Sequence, residues 1–210
     1  MASRREQERI ARVVLDAHGR TFAGELDIPL ERNTPSALFR LLCAALLFSA
    51  RIRASVAANA AHALADHGWT TPEKLAASTW EDRIRVLNGA GYARYDERTA
   101  TMLGETAALL LDDYAGDLRR LREAADRDPA AERRRQKTFK GIGDVGVDIF
   151  FREVQVAWDE LYPFADRTAL KAAERLGLPA SARDLADLVD TDDFPRLVAG
   201  LVRVHLAKAY

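Results

Sequence analysis

An all-α, two-lobed helical fold is predicted for this chain of 210 residues, and three observations predict it. Apolar residues recur at helical spacing along nearly the whole length. Strand signals, meaning sustained apolar–polar alternation rich in β-branched residues, are essentially absent. The composition is 48% hydrophobic and 30% charged with only 12 Gly and 7 Pro, which is that of a folded, mostly helical chain.

The elements follow in order. Arg4–His18 carries Ile10, Val13, Val14 and Ala17 on one face and charges on the other, and Gly19 ends it. Residues 20–33 hold Gly24, Pro29 and Asn33 and read as a loop. Thr34 then stands at a cap position with Pro35 in the first turn. The helix they open runs through Leu38, Leu41, Leu42, Ala45 and Leu46 and is apolar nearly all round, which places it at the centre of the fold. Helices are predicted over 54–67, 72–77, 80–87, 96–113, 118–125 and 130–139, and the fourth of these has Leu103, Ala107, Leu110 and Leu111 on one stripe. A second strongly apolar helix covers 146–158, with Val147, Phe150, Phe151, Val154 and Trp158. Three more, over 167–176, 181–188 and 194–209, complete a bundle of about ten helices with no internal repeat.

Counts bound the chemistry. Cys43 is the only cysteine, which excludes an intramolecular disulfide framework, a zinc ribbon and a four-thiolate iron–sulfur cluster within this chain. With 31 basic and 32 acidic residues the formal charge is −1, so a nucleic acid must be held by a local patch. The apolar run of residues 41–48 stops at Ser49 and Arg51, far short of a membrane span, and the first ten residues carry no secretory apolar core. No membrane partner and a cytoplasmic location are expected. The four histidines form no metal constellation, so no metal site is expected: His62 and His67 lack a carboxylate at ligand spacing, and His205 lies on an apolar stripe. Trp69, Trp80 and Trp158 read as core or lobe-interface residues.

The informative stretch runs through Phe139, Lys140, Gly141, Ile142, Gly143, Asp144, Val145, Gly146 and Val147. Gly-x-Gly between two helices permits a tight turn with positive φ, and Ile142 between the glycines can plug that turn into the core. The amides of Gly141, Gly143 and Val145 then point outward at a helix N-terminus, which suits an anion. Such contacts position a duplex on its phosphates without reading sequence. The same glycines also serve an ordinary helix–turn–helix hairpin as caps, and that reading stays open.

These residues resemble the helix-hairpin-helix of the endonuclease III-like superfamily of DNA glycosylases, whose hairpin reads roughly Leu-Pro-Gly-Val-Gly-x-Lys-Thr-Ala. Two further stretches match in the same order. Residues 41–50 (LLCAALLFSA), with Arg51 next, look like the family's early helix ending in Leu-Leu-Ser-Ala-Gln. Pro163, Phe164, Ala165, Asp166, Arg167 and Thr168 look like its Val-Asp-Thr-His segment. The likeness covers roughly residues 5–178. It implies one lobe over 35–157, a second joining 1–34 to 158–210, and a cleft between them.

The resemblance assigns roles residue by residue. Asp166, just before a helix, matches the catalytic carboxylate that stabilises an oxocarbenium-like sugar and orients water. It reads equally as an N-cap, and the two readings are compatible. Arg51 matches the polar residue that fills the gap left by an extruded base, a step required because the glycosidic bond is unreachable inside a duplex; a solvated arginine after a helix, forming a small basic corner with Arg53, is its alternative. Tyr92, in the loop of residues 91–95, matches the wedge on the opposite strand; an aromatic packing that loop is its alternative. Arg133, Arg135, Lys137 and Lys140, with Arg134, form the densest basic run, which reads as a solvated helix face or, given its closeness to the hairpin, as part of a phosphate-binding surface. Val145 stands where bifunctional members carry the lysine that attacks the sugar, so the match is to monofunctional glycosylases. Asp144 departs from the pattern by placing a carboxylate beside the phosphate-binding turn. The family's four C-terminal cysteines are absent, so no iron–sulfur cluster is expected; a monovalent cation at the hairpin is implied by the resemblance alone. The expected function is hydrolysis, by a monomer without cofactor, of the N-glycosidic bond of an extruded base in double-stranded DNA. The alternative is a non-catalytic DNA-binding protein on the same scaffold.

Overall fold

The computed structural model describes residues 3–208, and all regular elements among them are helical. The chain divides into two compact units, Met1–Asp27 with Phe151–Tyr210, and Ile28–Phe150.

Along the chain, α1 (Arg4–His18) starts at the Ser3 cap and stops at Gly19, as predicted. Its inner face differs: Ala11 and Val14 are buried whereas Val13 is exposed. The reason is the partner. A Cβ on Gly200 would lie 2.9 Å from Val14 and 3.3 Å from the His18 carbonyl, so the helices meet along the side that glycine leaves open. The segment predicted as a loop contains α2 (Phe22–Glu25), a short helix capped by Thr21, and a 3-10 turn over Leu30–Arg32.

In the unit Ile28–Phe150, α3 (Pro35–Phe48) opens at Thr34, whose hydroxyl accepts the Ala37 amide, with Pro35 in its first turn. All of Ala37–Leu47 except Arg40 is buried, as an all-round apolar helix requires. It packs against α4 (Ala54–Asp66), and further along the chain against the helices Asp96–Tyr114 and Leu118–Ala124. Helices α5 (Pro72–Ala76) and α6 (Trp80–Gly89) both lie on α7 (Asp96–Tyr114), the longest element. Trp80 is not core: its ring is partly exposed and its Nε1 donates to Thr101. Next come α8 (Leu118–Ala124), α9 (Pro129–Gln136) and α10 (Asp144–Val154).

The unit Met1–Asp27 with Phe151–Tyr210 is completed by α11 (Arg167–Arg175), α12 (Ala182–Ala186) and α13 (Phe194–Ala207). Here α13 is the core helix and packs on both α1 and α11. The predicted final residue of that helix, Ala209, lies outside the described residues. No described helix is long and apolar enough to cross a membrane.

Candidate functional site

The hairpin of α9, a seven-residue turn and α10 is anchored on α7. Phe139 is buried and its ring meets Tyr114 at 6.3 Å between centroids. Lys140 Nζ donates to Glu105 at 3.0 Å. Ile142 is buried as the plug, with its side chain 3.3 Å from where a Cβ on Gly146 would stand, so a larger residue at 146 would displace it.

The two hairpin glycines serve different ends. Gly141 has φ +90°, and a Cβ there would collide with Met102 Sδ on α7, so it is required for the turn itself. Gly143 has no positive φ, and a Cβ there would meet nothing within 4 Å. A side chain at 143 would therefore leave the turn intact and project only into the space before it. The first α10 bond runs from the Val147 amide to the Gly143 carbonyl. The amides of Gly141, Gly143 and Val145 donate to no backbone carbonyl among the described residues. Gly141, Gly143 and Val145 are exposed, Val145 by 59%. These amides lie at the N-terminus of an 11-residue helix, where partial positive charge collects.

The basic run around them is internally paired. Lys137 Nζ bonds Asp144 at 2.8 Å, and Arg133 reaches Asp148 at 2.6 Å and Asp144 at 3.8 Å. The Lys137 hydrogen bond, and then its charge, holds the Asp144 carboxyl below the usual carboxylate range, with Arg133 adding to the effect. Arg135, half-exposed on α9, gives its carbonyl to the Thr138 amide and hydroxyl. Arg51 is exposed in the turn after α3.

Tyr92 corrects an expectation. It is 0% exposed, and its hydroxyl donates to the Leu47 carbonyl at 3.0 Å. The ring therefore seals the 91–95 loop onto the core of its own unit and is not presented as a wedge. In the same loop Arg94 is the exposed cation, stacked over Tyr95 at 5.2 Å.

In the other unit, Asp166 caps α11: Oδ1 accepts the amides of Thr168 at 2.7 Å and Ala169 at 3.0 Å. It is 6% exposed. Its Oδ2 accepts Arg152 Nη1 at 2.5 Å, and the same guanidinium donates through Nε to Glu153 Oε1 at 3.3 Å. Glu153 Oε2 in turn accepts the Ala23 amide in the first turn of α2. Gln155 clamps the chain ahead of Asp166, accepting the Phe164 amide and donating to the Phe164 carbonyl, both at 3.0 Å. So one short stretch, Arg152, Glu153 and Gln155, ties together the Asp166 cap, the segment before it and the start of α2. Reading the 146–158 helix for its apolar stripe missed all three. Their signal was available, since adjacent charges inside a helix apolar on its other sides must be buried with partners.

The Asp166 carboxylate is thus fixed and fully engaged, with its charge balanced by a buried guanidinium. Cys43 is buried in α3, and burial pushes its thiol up to about 12.

No family model matches the sequence. No curated protein matches it either. Among solved structures, the chain is similar to a trapped endonuclease III–DNA covalent intermediate, an estranged-adenine complex. The match has a TM-score of 0.56 at 18% identity and covers 97% of this chain and 86% of that one. The all-α fold of this chain is therefore of the endonuclease III kind.

Proposed function

We propose that this chain binds duplex DNA through the 141–147 turn, holding backbone phosphate without chemistry on the strand. The observation that carries this is that the amides of three exposed residues at the start of α10, Gly141, Gly143 and Val145, donate to no backbone carbonyl among the described residues. Amides so placed at a helix N-terminus accept an anion, and phosphate contacts of this type position a duplex whatever its sequence. The likeness to an endonuclease III–DNA complex supports the choice of ligand. Arg135 and Arg51 extend the attraction along the backbone. The turn carbonyls of Lys140 and Ile142 accept no backbone amide among the described residues and would suit a monovalent cation, whose charge would add to the attraction.

One position favours binding over catalysis, while Val145 bears only on strand cleavage, since it offers no amine where the resembled bifunctional enzymes carry lysine. Asp166 directs both oxygens at the amides of Thr168 and Ala169 and at Arg152, so its carboxylate is engaged within its own unit rather than presented to a sugar or a water. The second reading is hydrolysis of an N-glycosidic bond to leave an abasic site. It is favoured by the fixed placement of Asp166 before α11, in the segment that resembles the family's catalytic one.

Fluorescence anisotropy on an undamaged duplex across salt tests the binding. The expected slope of log K against log salt is about −2 to −4, that of a few phosphates neutralised. A panel of duplexes bearing uracil, mismatched thymine, alkylated and oxidised bases, with and without alkali, tests the chemistry. No base release is expected. Release that disappears in Asp166→Asn would establish the hydrolase instead, and absence of salt-dependent binding would dismiss both.

A further inference from the structure

The phosphate-facing turn carries its own anion. Asp144 is the first residue of α10, beside the unbonded amides, and its side chain is 69% exposed. Lys137 holds it at 2.8 Å and Arg133 stands 3.8 Å away. The same pattern extends outward, since Arg133 bonds Asp148 and Lys140 bonds Glu105. A phosphate arriving at the turn would meet cations already engaged and an exposed carboxylate at the first residue of α10.

From this we infer that Asp144 is the affinity-setting residue of the hairpin: its carboxylate holds Lys137 in the place of a backbone phosphate, and a duplex binds by displacing it. The inference rests on the DNA-binding reading above. It follows from geometry and charge. Phosphate and carboxylate are both oxyanions, and both accept hydrogen bonds from ammonium and guanidinium groups. They compete for Lys137 within the reach of one side chain. Because the Lys137 hydrogen bond holds Asp144 below the ordinary carboxylate range, the competitor stays charged at every pH at which the protein would meet DNA. The hairpin would therefore bind weakly and release readily, which suits a protein that samples duplex without holding one place.

Asp144→Asn keeps the side chain's size and its place at the helix start while removing the competing charge. Asp148→Asn is the control. It removes the same charge one turn further along α10, where Asp148 pairs with Arg133 away from the unbonded amides. Duplex binding by the wild type and both variants is measured by anisotropy at several salt concentrations, with circular dichroism to confirm the fold. Asp144→Asn is expected to bind about three- to tenfold tighter near 50 mM salt, with a log–log salt slope steeper by about 0.9, as one more phosphate is neutralised. Asp148→Asn is expected to gain less than about twofold. Binding in the wild type with no gain in Asp144→Asn overturns this inference and leaves the DNA-binding reading standing. An equal gain in both variants assigns the effect to bulk charge and overturns it too. No binding by any of the three at any salt removes the DNA-binding reading and this inference with it.

Discussion

Arg152→Met should be among the most damaging single substitutions in the chain. The guanidinium is buried, with its side chain 6% exposed, between Asp166 at 5% and Glu153 at 1%. Removing it leaves two carboxylates out of water. Asp166 retains the amides of Thr168 and Ala169, and Glu153 retains that of Ala23, but neither keeps a counter-charge from Arg152. Breaking a buried pair by deleting one partner costs about 3–5 kcal/mol. Loss of the guanidinium's packing 5.1 Å over the Phe22 ring is included in that range rather than added to it. For a chain of this length about 3–5 kcal/mol corresponds to a fall in Tm of roughly 6–20 °C. Urea unfolding at neutral pH, followed by circular dichroism, reads the effect. The triple variant Arg152→Met, Glu153→Gln, Asp166→Asn serves as the internal check. It has no orphaned charge, so it should be more stable than Arg152→Met alone. A cost below about 1 kcal/mol for Arg152→Met, or a triple variant less stable than the single one, would refute the assignment of this network.

Three further outcomes are expected. Tyr92→Phe should cost about 1 kcal/mol through loss of the hydrogen bond to the Leu47 carbonyl and leave duplex affinity unchanged; a severalfold loss of affinity at unchanged stability would return Tyr92 to a DNA-contacting role. Cys43, whose thiol burial pushes up to about 12, should resist a thiol reagent in the native protein and react fully in urea, whereas rapid native labelling would contradict its place in the α3 core. The Asp82 carboxyl is lowered by hydrogen bonds from Thr79 and Arg85, and that of Asp144 by Lys137. At Asp117, burial opposes and bonds from Arg119 prevail to lower the carboxyl. Groups lowered on folding stabilise above the unfolded carboxylate range and lose that contribution as pH falls through their folded values, so stability should decline below about pH 4. Carboxyl titration by NMR should place all three midpoints below the ordinary range, and Lys137→Met should raise that of Asp144 alone.

The helical architecture was legible because local chemistry decides it. Thr34 with Pro35 opens α3, Ser3 and Gly19 bound α1, and Asp166 precedes α11, each where a cap belongs. Element ends were less legible where tertiary contacts set them. The helix expected over 146–158 begins at Asp144 and ends at Val154. Beyond it the Ala157 and Trp158 amides both turn back to the Val154 carbonyl, while the Gln155 side chain leaves to hold Phe164. At the hairpin, spacing located the glycines and the plug, but only the packing against α7 separates Gly141, set by Met102 and its φ, from Gly143, which faces open space. Asp166 was readable as a cap. Its partner was not, because Arg152 lies 14 residues away with no periodic relation to it. Tyr92 shows the limit of matching a loop by position, since whether an aromatic points in or out depends on the space beneath it.

The central claim, that the 141–147 turn binds duplex DNA through its backbone, is tested most directly by Gly143→Ala. A Cβ at this position meets nothing within 4 Å and no positive φ has to be sustained, so the fold has no reason to change. The added methyl would occupy open space at the turn, which on this account is the space a phosphate enters. Anisotropy on an undamaged duplex at low and moderate salt, beside thermal unfolding of both proteins, is the measurement. The account expects stability within about 0.5 kcal/mol of the wild type and duplex affinity reduced severalfold or more. Equal affinity in the two proteins, with wild-type binding intact, would contradict it.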